Sequence, residues 1–337
     1  MLYIYQFPDW TNFTFNSKRV LDALGKVRYK EGHLAGLLEA CGSKEFDDAT
    51  LAEEIVANYA IDNHKLDTDE VIKDIAGQAH GMAVVKSYLN MVASPAKEFT
   101  HERLLLWHTA MRHTRTHKFR DATSSVTACD GELSFVGPGA ERLAAEMDRF
   151  FRWIENDSSD SAIKAAIAHF WFLTLRPFDD RNGRIARLIS TALLCQDKPQ
   201  TNLQYALSSQ ILARRDEYLR ILNKTQCGSG DLTEWILWFL AQIENAVQAS
   251  EEKISPQARR AKFMGKHSGI PTDERAQILV DAVMKGNIPA EFTTGDVAKV
   301  LGTSHDTALR EIQSLVKKGI LKSGKKGGRS QRYSVVD

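Results

Sequence analysis

Cysteine and proline are scarce, with four and eight residues respectively in a chain of 337. Cys41, Cys129, Cys195 and Cys227 are scattered without metal-ligand spacing, which argues against a disulfide-stapled scaffold and against a cysteine zinc site. Such thiols suit a reducing compartment. An excess of one charge is also lacking: 44 Lys and Arg stand against 43 Asp and Glu, a formal charge of +1. A wholly basic nucleic-acid coat is thereby excluded, although a local basic patch is not. No apolar run reaches membrane-spanning length. The start, Met1-Leu2-Tyr3-Ile4-Tyr5-Gln6-Phe7-Pro8, has neither a basic region nor a signal-length apolar core. These absences lead to the expectation of a cytoplasmic protein with no membrane partner.

What is present is ordinary for a globular chain: 43% hydrophobic and 26% charged residues, in a length that accommodates two or more domains. The most informative stretch is Leu173–Leu188. An apolar helical run (Ile163, Ile167, Phe170, Trp171, Thr174) is cut by Pro177, which cannot continue a helix and displaces Arg176 from the α region. A polar turn follows, and a second apolar helix runs from Ile185 through Leu194. Asn182-Gly183 leads into that helix N-terminus, where free N–H groups and the helix dipole form a seat for phosphate. Arg184 and Arg187, three apart, lie on one helical face and supply bidentate phosphate donors. Asp180 is a candidate Mg²⁺ ligand, because that ion takes one or two carboxylates plus phosphate oxygens. A helix-loop-helix with solvated charges is the simpler alternative. A loop set between buried helices, however, needs a reason for its charges.

The same stretch resembles the signature of Fic-domain proteins, His-Pro-Phe-x-(Asp/Glu)-Gly-Asn-Gly-Arg-x-x-Arg. Pro177, Phe178, Asp180, Asn182, Gly183, Arg184 and Arg187 match it. The resemblance implies a mainly α Fic-type helical core with a β-hairpin flap. It also implies a protein adenylyltransferase that moves AMP from ATP, with Mg²⁺ on Asp180 and the phosphates on Asn182, Gly183, Arg184 and Arg187, to a hydroxyl of an unidentified target protein. Two positions depart from it. Arg176 stands at the catalytic histidine, and Arg181 stands at the first glycine of the anion loop. Arginine has no usable lone pair at ordinary pH and cannot act as the general base. Arg181 in a glycine conformation with φ > 0 would be strained. Transfer chemistry is therefore expected to be impaired.

Other stretches are read around this core. An aromatic opening (Tyr3, Tyr5, Phe7, Trp10, Phe13, Phe15) precedes an amphipathic helix over Ser17–Ala40 and another over Asp47–Asn58. Asn58-Tyr59-Ala60-Ile61-Asp62-Asn63 is similar to the family's inhibitory motif, (Ser/Thr)-x-x-x-Glu-(Gly/Asn), which implies that Asp62 faces Arg187. Without the resemblance, it is a polar helix end. One helix is expected over Thr68–Asn90 and another over Glu102–Arg112. His101, His108, His113 and His117 lack a carboxylate or cysteine at ligand spacing, so a metal is rejected. Lys118–Gly139 reads as extended, with a hairpin turn at Asp130-Gly131. By the resemblance it is a flap that holds a target by strand addition.

A helix is expected over Glu141–Glu155. His169 reads as a packed helix residue, and Tyr218 as core or as a pocket wall. Asp231 or Thr233 is a cap for the helix that carries Trp235, Trp238 and Phe239. That helix is taken to about Lys253, and Ser255–Ile270 is read as a linker or connecting helix. The last part resembles winged helix-turn-helix domains: helices over Ala276–Met284, Thr294–Leu301 and His305–Lys317, a turn at Gly302-Thr303, Ser304 as a cap, then two strands. Lys325, Lys326 and Arg329, among other basic residues, are a candidate DNA-phosphate footprint; a protein-contact role for this module stays open. The expected organisation is 1–95 with the inhibitory-type helix, 96–250 as the Fic-like core, 251–271 as a linker and 272–337 as the winged helix. A homodimer is compatible with all of this. A nonenzymatic, nucleotide-sensing DNA-binding regulator is the alternative function.

Overall fold

The structure is a computed structural model that describes residues 2–41, 44–79, 81–112, 118–127, 133–196, 203–266, 274–284, 286–324 and 331–336. The chain divides into two compact units, residues 1–34 with 44–250, and residues 35–43 with 251–337. The fold is mainly α, as the sequence led us to expect.

Helix α1 (Ser17–Cys41) begins in the first unit, where α2 (Lys44–Ile61) precedes α3 (Thr68–Ile75) and α4 (Ala83–Ala93). The single helix expected over Thr68–Asn90 is thus two. The break follows from Gly77 and Gly81, both at positive φ (72° and 77°), and from Asp74. Its carboxylate leaves the helical pattern to accept the N–H groups of Gly81 and Met82, each at 2.6 Å. After α5 (His101–Arg112) come strands β1 (Ser125–Thr127) and β2 (Leu133–Val136). They pair antiparallel, Ser125 opposite Val136 and Val126 opposite Phe135, with an irregularity between Val126 and Thr127. The expected turn at Asp130-Gly131 lies outside the described residues, as do His113, His117 and Cys129.

Helices α6 (Leu143–Asn156) and α7 (Ser161–Leu175) then lead to α8 (Asn182–Gln196), α9 (Leu207–Ala213), α10 (Arg215–Gln226) and α11 (Thr233–Lys266). Helix α6 starts two residues later than expected, because Ala140–Arg142 first forms a 3-10 turn. Helix α7 is apolar all round, and every residue of it except Lys164 is buried. A helix with no polar face belongs inside, and α7 is the axis of this unit. Helix α8 packs along it. Trp171 of α7 meets Trp10, Phe13, Phe150 and Trp153, with ring centroids 5.4–5.7 Å apart. The indole N–H of Trp235 donates to Ala166 O at 2.7 Å, so α11 is fixed to the same axis by a polar contact as well as by area. At the start of α11 the Asp231 carboxylate accepts from the Thr233 N–H at 2.8 Å, the expected cap. The segment 251–271 is no loop over its first part: α11 continues through Pro256 to Lys266, which is the connecting-helix alternative.

The second unit contains α12 (Glu274–Met284), α13 (Thr294–Leu301), α14 (His305–Lys317) and the antiparallel strands β3 (Leu321–Ser323) and β4 (Tyr333–Val335). Gly302 ends α13 in the left-handed region (φ 59°), and Ser304 Oγ caps α14 by accepting from the Thr307 N–H at 3.3 Å. Leu279, Phe292, Val297, Ala308, Ile312 and Leu315 form its core. Lys325, Lys326 and Arg329 lie outside the described residues. Among the described residues no helix is long and apolar enough to cross a membrane.

Removing the carboxylate that bridges α3 to α4 tests the account of the break. Asp74→Ala should lower the unfolding free energy by about 1–3 kcal/mol, the usual cost of stranding hydrogen-bond donors, here two part-buried N–H groups. Asp69→Ala, on the exposed face of the same helix, should change it by less than about 0.5 kcal/mol, both read by urea unfolding.

Candidate functional site

Helix α7 ends because Pro177 offers no N–H and its ring blocks the next turn. Arg176 takes the C-cap position in the left-handed region (φ 48°, ψ 59°), and its N–H still donates to Phe172 O at 2.9 Å. The sequence placed Arg176 outside the α region; the structure shows that it goes to the left-handed side rather than to an extended one. Phe178 is buried and stacks on His108, with centroids 4.1 Å apart. The Asn182 side chain closes the loop on itself. Its Oδ1 accepts from the Phe178 N–H at 3.0 Å, and its Nδ2 donates to Phe178 O at 2.7 Å. That amide is thus committed within the loop, and what Asn182 offers a ligand is its backbone. Arg181 sits at φ 61°, the glycine-like conformation inferred from its place in the signature. Left-handed backbone at a residue with a Cβ costs about 1–2 kcal/mol.

The first intrahelical bond of α8 joins the Ile185 N–H to Arg181 O at 3.2 Å. The N–H groups of Asn182, Gly183 and Arg184 precede it and face out of the helix end. Gly183 is needed here: a Cβ would lie 3.1 Å from Arg187 Nη1.

A carboxylate from α2's end clamps both signature arginines. Asp62 Oδ2 accepts from Arg184 Nε at 3.0 Å and from Arg187 Nη2 at 3.2 Å. Asn58, one turn earlier, adds its Oδ1 to Arg187 Nε at 2.6 Å and its backbone O to Arg187 Nη2 at 3.0 Å. Arg184 is buried, with its guanidinium 3.8 Å from the Tyr59 ring centroid. Burial lowers its pKa against the pull of Asp62. Behind Arg187 lies Glu54, fully buried, which accepts from the Ser208 N–H at 2.7 Å and the Ser208 hydroxyl at 2.5 Å. Burial raises the Glu54 pKa, and those hydrogen bonds oppose it.

Arg176, Arg181, Asn182, Gly183, Arg187 and Asp62 line one cavity of about 460 Å³, with Tyr218, Leu222 and Leu173 on its apolar wall. Asp180 and Arg184, also expected to act there, do not line it. Arg184 faces Tyr59 and Asp62 instead. Asp180 is half-buried beside the loop, with Oδ1 3.2 Å from His108 Nε2 and Oδ2 3.9 Å from Arg181 Nε. One accessible carboxylate at the loop fits the sparse donor set of Mg²⁺, which completes its shell with phosphate oxygens and water. Among the described residues no three His, Cys, Asp or Glu side chains cluster as a metal site. A second cavity, of about 580 Å³, is lined by Lys97, His101, Asp148 and Lys164 and includes no signature residue.

Arg176 is held from two sides. Its Nε donates to Ser124 Oγ at 3.0 Å, just before β1. Its carbonyl accepts from Arg120 Nε at 2.7 Å. Arg120 also donates to Ala122 O at 2.6 Å and Pro138 O at 2.5 Å, so one buried guanidinium ties the two ends of the hairpin to the signature loop. Burial, with the Arg120 cation beside it, brings the Arg176 pKa down to about 10. Arg120 and Arg215, whose Nε donates to Ile61 O at 2.7 Å, were not read from the sequence. Lone arginines in no motif carry no signal until their carbonyl partners are known. His169 is a packed helix residue. It is fully buried between Ser190 Oγ (2.9 Å) and Tyr218 OH (2.8 Å). Tyr218 is both core and pocket wall, and burial pushes its pKa up to about 12.

Residues 98–194 match the Fic/DOC family, and residues 3–79 match a domain of unknown function, DUF4172. The chain therefore carries a Fic/DOC family domain. Its sequence is similar to the protein adenylyltransferase Fic of Drosophila ananassae, 42% identical over 62 residues, which are 18% of this chain and 12% of that protein. The Drosophila melanogaster protein of the same name is 39% identical over 62 residues, 18% of this chain and 13% of that protein. The match thus spans about an eighth of the length of these relatives. A Fic family protein from Desulfovibrio desulfuricans G20 has the same fold, with TM-score 0.62 and 19% identity over 96% of this chain and 97% of that one. A Fic domain containing signaling protein from Bacteroides thetaiotaomicron gives TM-score 0.54 and 17% identity, covering 70% of this chain and 97% of that one.

Burial, and secondarily the Arg187 cation, holds the His169 pKa well below its ordinary value of 6.5. The unfolded chain therefore binds the proton first on acidification. The stability that comes from a neutral His169 is complete above pH 6.5 and is lost as pH falls from there toward the depressed folded value. His169→Gln should flatten that slope in urea midpoints measured from about pH 7.5 to about pH 5.

Proposed function

We propose that this chain is a Fic-type nucleotide-binding protein, related by descent to AMP-transferring enzymes, in which the Asp62 clamp restrains the phosphate site and Arg176 impairs transfer. The observation that carries this reading is one cavity in which residues at five signature positions, three matching and two departing, meet Asp62. The N–H groups at the start of α8 and Arg187 would bind the phosphates of ATP, and Asp180 would hold Mg²⁺. That ion, when bound, neutralises phosphate charge.

The β1–β2 hairpin would offer its backbone to an extended target segment. The target hydroxyl must then lose its proton to a base. At a pKa of about 10, only about one Arg176 in a thousand is neutral at pH 7. Losing a general base costs on the order of 10²–10⁴ in rate. His169 does not replace it, being sealed beneath Tyr218 and Ser190. Asp62 acts earlier in the sequence of events. While it occupies Arg187, a phosphate must displace a charge-assisted pair to reach that guanidinium. Autoinhibition by α2 follows from this competition.

A second reading is favoured by the charge of the second unit. Lys317, Lys318, Lys322 and Arg332 are exposed on α14's end and around the β3–β4 pair, with His305, Asp306 and Arg310 exposed along α14. This is a footprint for duplex DNA in a winged-helix reading of 272–337. Neutralising Lys317, Lys318 and Lys322 together should abolish salt-dependent binding to duplex DNA in a fluorescence titration. Unaltered binding by that variant would count against this second reading.

The transfer chemistry is tested by restoring the base. With labelled ATP and Mg²⁺, Arg176→His should raise covalent labelling of the chain or of a supplied target by about 10²-fold or more. A flat response would remove Arg176 as the cause of impairment.

A further inference from the structure

Both departures from the family signature add a cation to the same cavity, Arg176 with no carboxylate on it and Arg181 with only a long pair to Asp180 at 3.9 Å. Arg176 Nε donates to the uncharged Ser124 Oγ at 3.0 Å, and no carboxylate pairs with its guanidinium among the described residues. Its charged neighbour is Arg120, of the same sign. Arg181 Nε is buried without a hydrogen-bond partner and is 3.9 Å from Asp180 Oδ2. Four guanidinium groups, those of Arg176, Arg181, Arg187 and Arg215, line the cavity against two carboxylates, Asp62 and Asp216. Asp216 is fully exposed, and Asp62 is engaged with Arg184 and Arg187. Withdrawing the Arg176 cation from water beside the like-charged Arg120, with no carboxylate on its guanidinium, is unfavourable until an anion arrives. Arg181 also keeps a strained backbone at φ 61°, which glycine would adopt without cost. Left-handed backbone at Arg176 and Arg181, with the unpaired charge of Arg176, lies in one cavity and points to a ligand.

The cavity also lacks what would consume that ligand. No histidine lines it among the described residues, and the buried imidazole behind Tyr218, His169, is committed to Ser190 and Tyr218. Its apolar wall, Leu173, Tyr218 and Leu222, has room for a nucleobase. We infer that Arg176 and Arg181 convert the site into a receptor for a nucleoside polyphosphate that is held and not consumed, the two arginines supplementing Arg187 as phosphate contacts. This rests on the nucleotide-binding reading above and gives the two departures a positive role. Affinity then grows with phosphate number, and Arg176 and Arg181 carry the increment.

The test is calorimetric titration of the full chain, at about 0.15 M salt, with adenosine, ADP, ATP and adenosine tetraphosphate. Three proteins are compared: the chain itself, Arg176→Gln and Arg181→Gly. Arg181→Gly relieves backbone strain, so misfolding cannot explain a loss of affinity in that variant. The expected result is affinity rising with each phosphate, and an ATP affinity about tenfold weaker in each variant. Adenosine binding should change less than about twofold. ATP recovered by chromatography after incubation should be intact. The inference is overturned if both variants bind ATP as well as the parent chain, or if the parent converts ATP during incubation. Nucleotide binding that is insensitive to both substitutions would overturn this inference and leave the nucleotide reading standing. If no adenine nucleotide binds to the parent or to Asp62→Ala, both fall.

Discussion

One ion-pair cluster organises this protein: the Asp62 carboxylate shared between Arg184 and Arg187, with Asn58 bonded to the same guanidinium. Two signature arginines on α8 are buried to within 2% of completely, far from the surface positions where arginine is usually found. A buried guanidinium needs its donors satisfied, so α2 must end where its last turn can reach them. The clamp therefore fixes where α2 stops and which way it points. It also sets which face of α8 is open to a ligand. The packing is separate from this constraint: α7, buried along nearly its whole length, supplies the floor on which α8 packs, and the clamp ties the end of α2 to α8.

The signature loop shows how the sequence writes local geometry. Pro177 forces the end of α7, Asn182 closes the loop on Phe178, and Gly183 leaves space for Arg187. Arg176 and Arg181 are the exceptions, two side-chain-bearing residues in left-handed backbone. They persist because the loop is over-determined by its neighbours: Arg120 and Ser124 hold Arg176, while the Phe178–Asn182 bonds and α8 hold Arg181 in place. The strain is concentrated where the proposed ligand binds, as it commonly is in functional loops.

Much of this was legible in the residues. Apolar periodicity gave the long helices, and Pro177 gave the break between α7 and α8. The approach of Asp62 to Arg187 came from the resemblance of Asn58–Asn63 to the family's inhibitory motif; the residues alone gave only a polar helix end. Legibility failed where a contact is nonlocal or where glycine acts through φ. Thr68–Asn90 reads as one helix because its apolar spacing is nearly continuous across Gly77 and Gly81; only the Asp74 bonds to Gly81 and Met82 reveal two. Arg184 matches the signature and so reads as a phosphate ligand, yet its place against Tyr59 is set by α2. Arg120 belongs to no motif, and its role lies in four carbonyls, three of them contributed by distant segments. Helix α11 passes Pro256 without ending, which a propensity argument would not allow.

In the proposed function the start of α8 is a phosphate seat for which Asp62 competes. Calorimetric titration of ATP with Mg²⁺ into the parent chain and into Asp62→Ala measures that competition directly. The account predicts that removing the carboxylate frees Arg187 and tightens ATP binding by about tenfold or more. Equal or weaker binding by a folded Asp62→Ala protein would mean that the clamp is purely structural and that phosphate does not bind where Arg187 points.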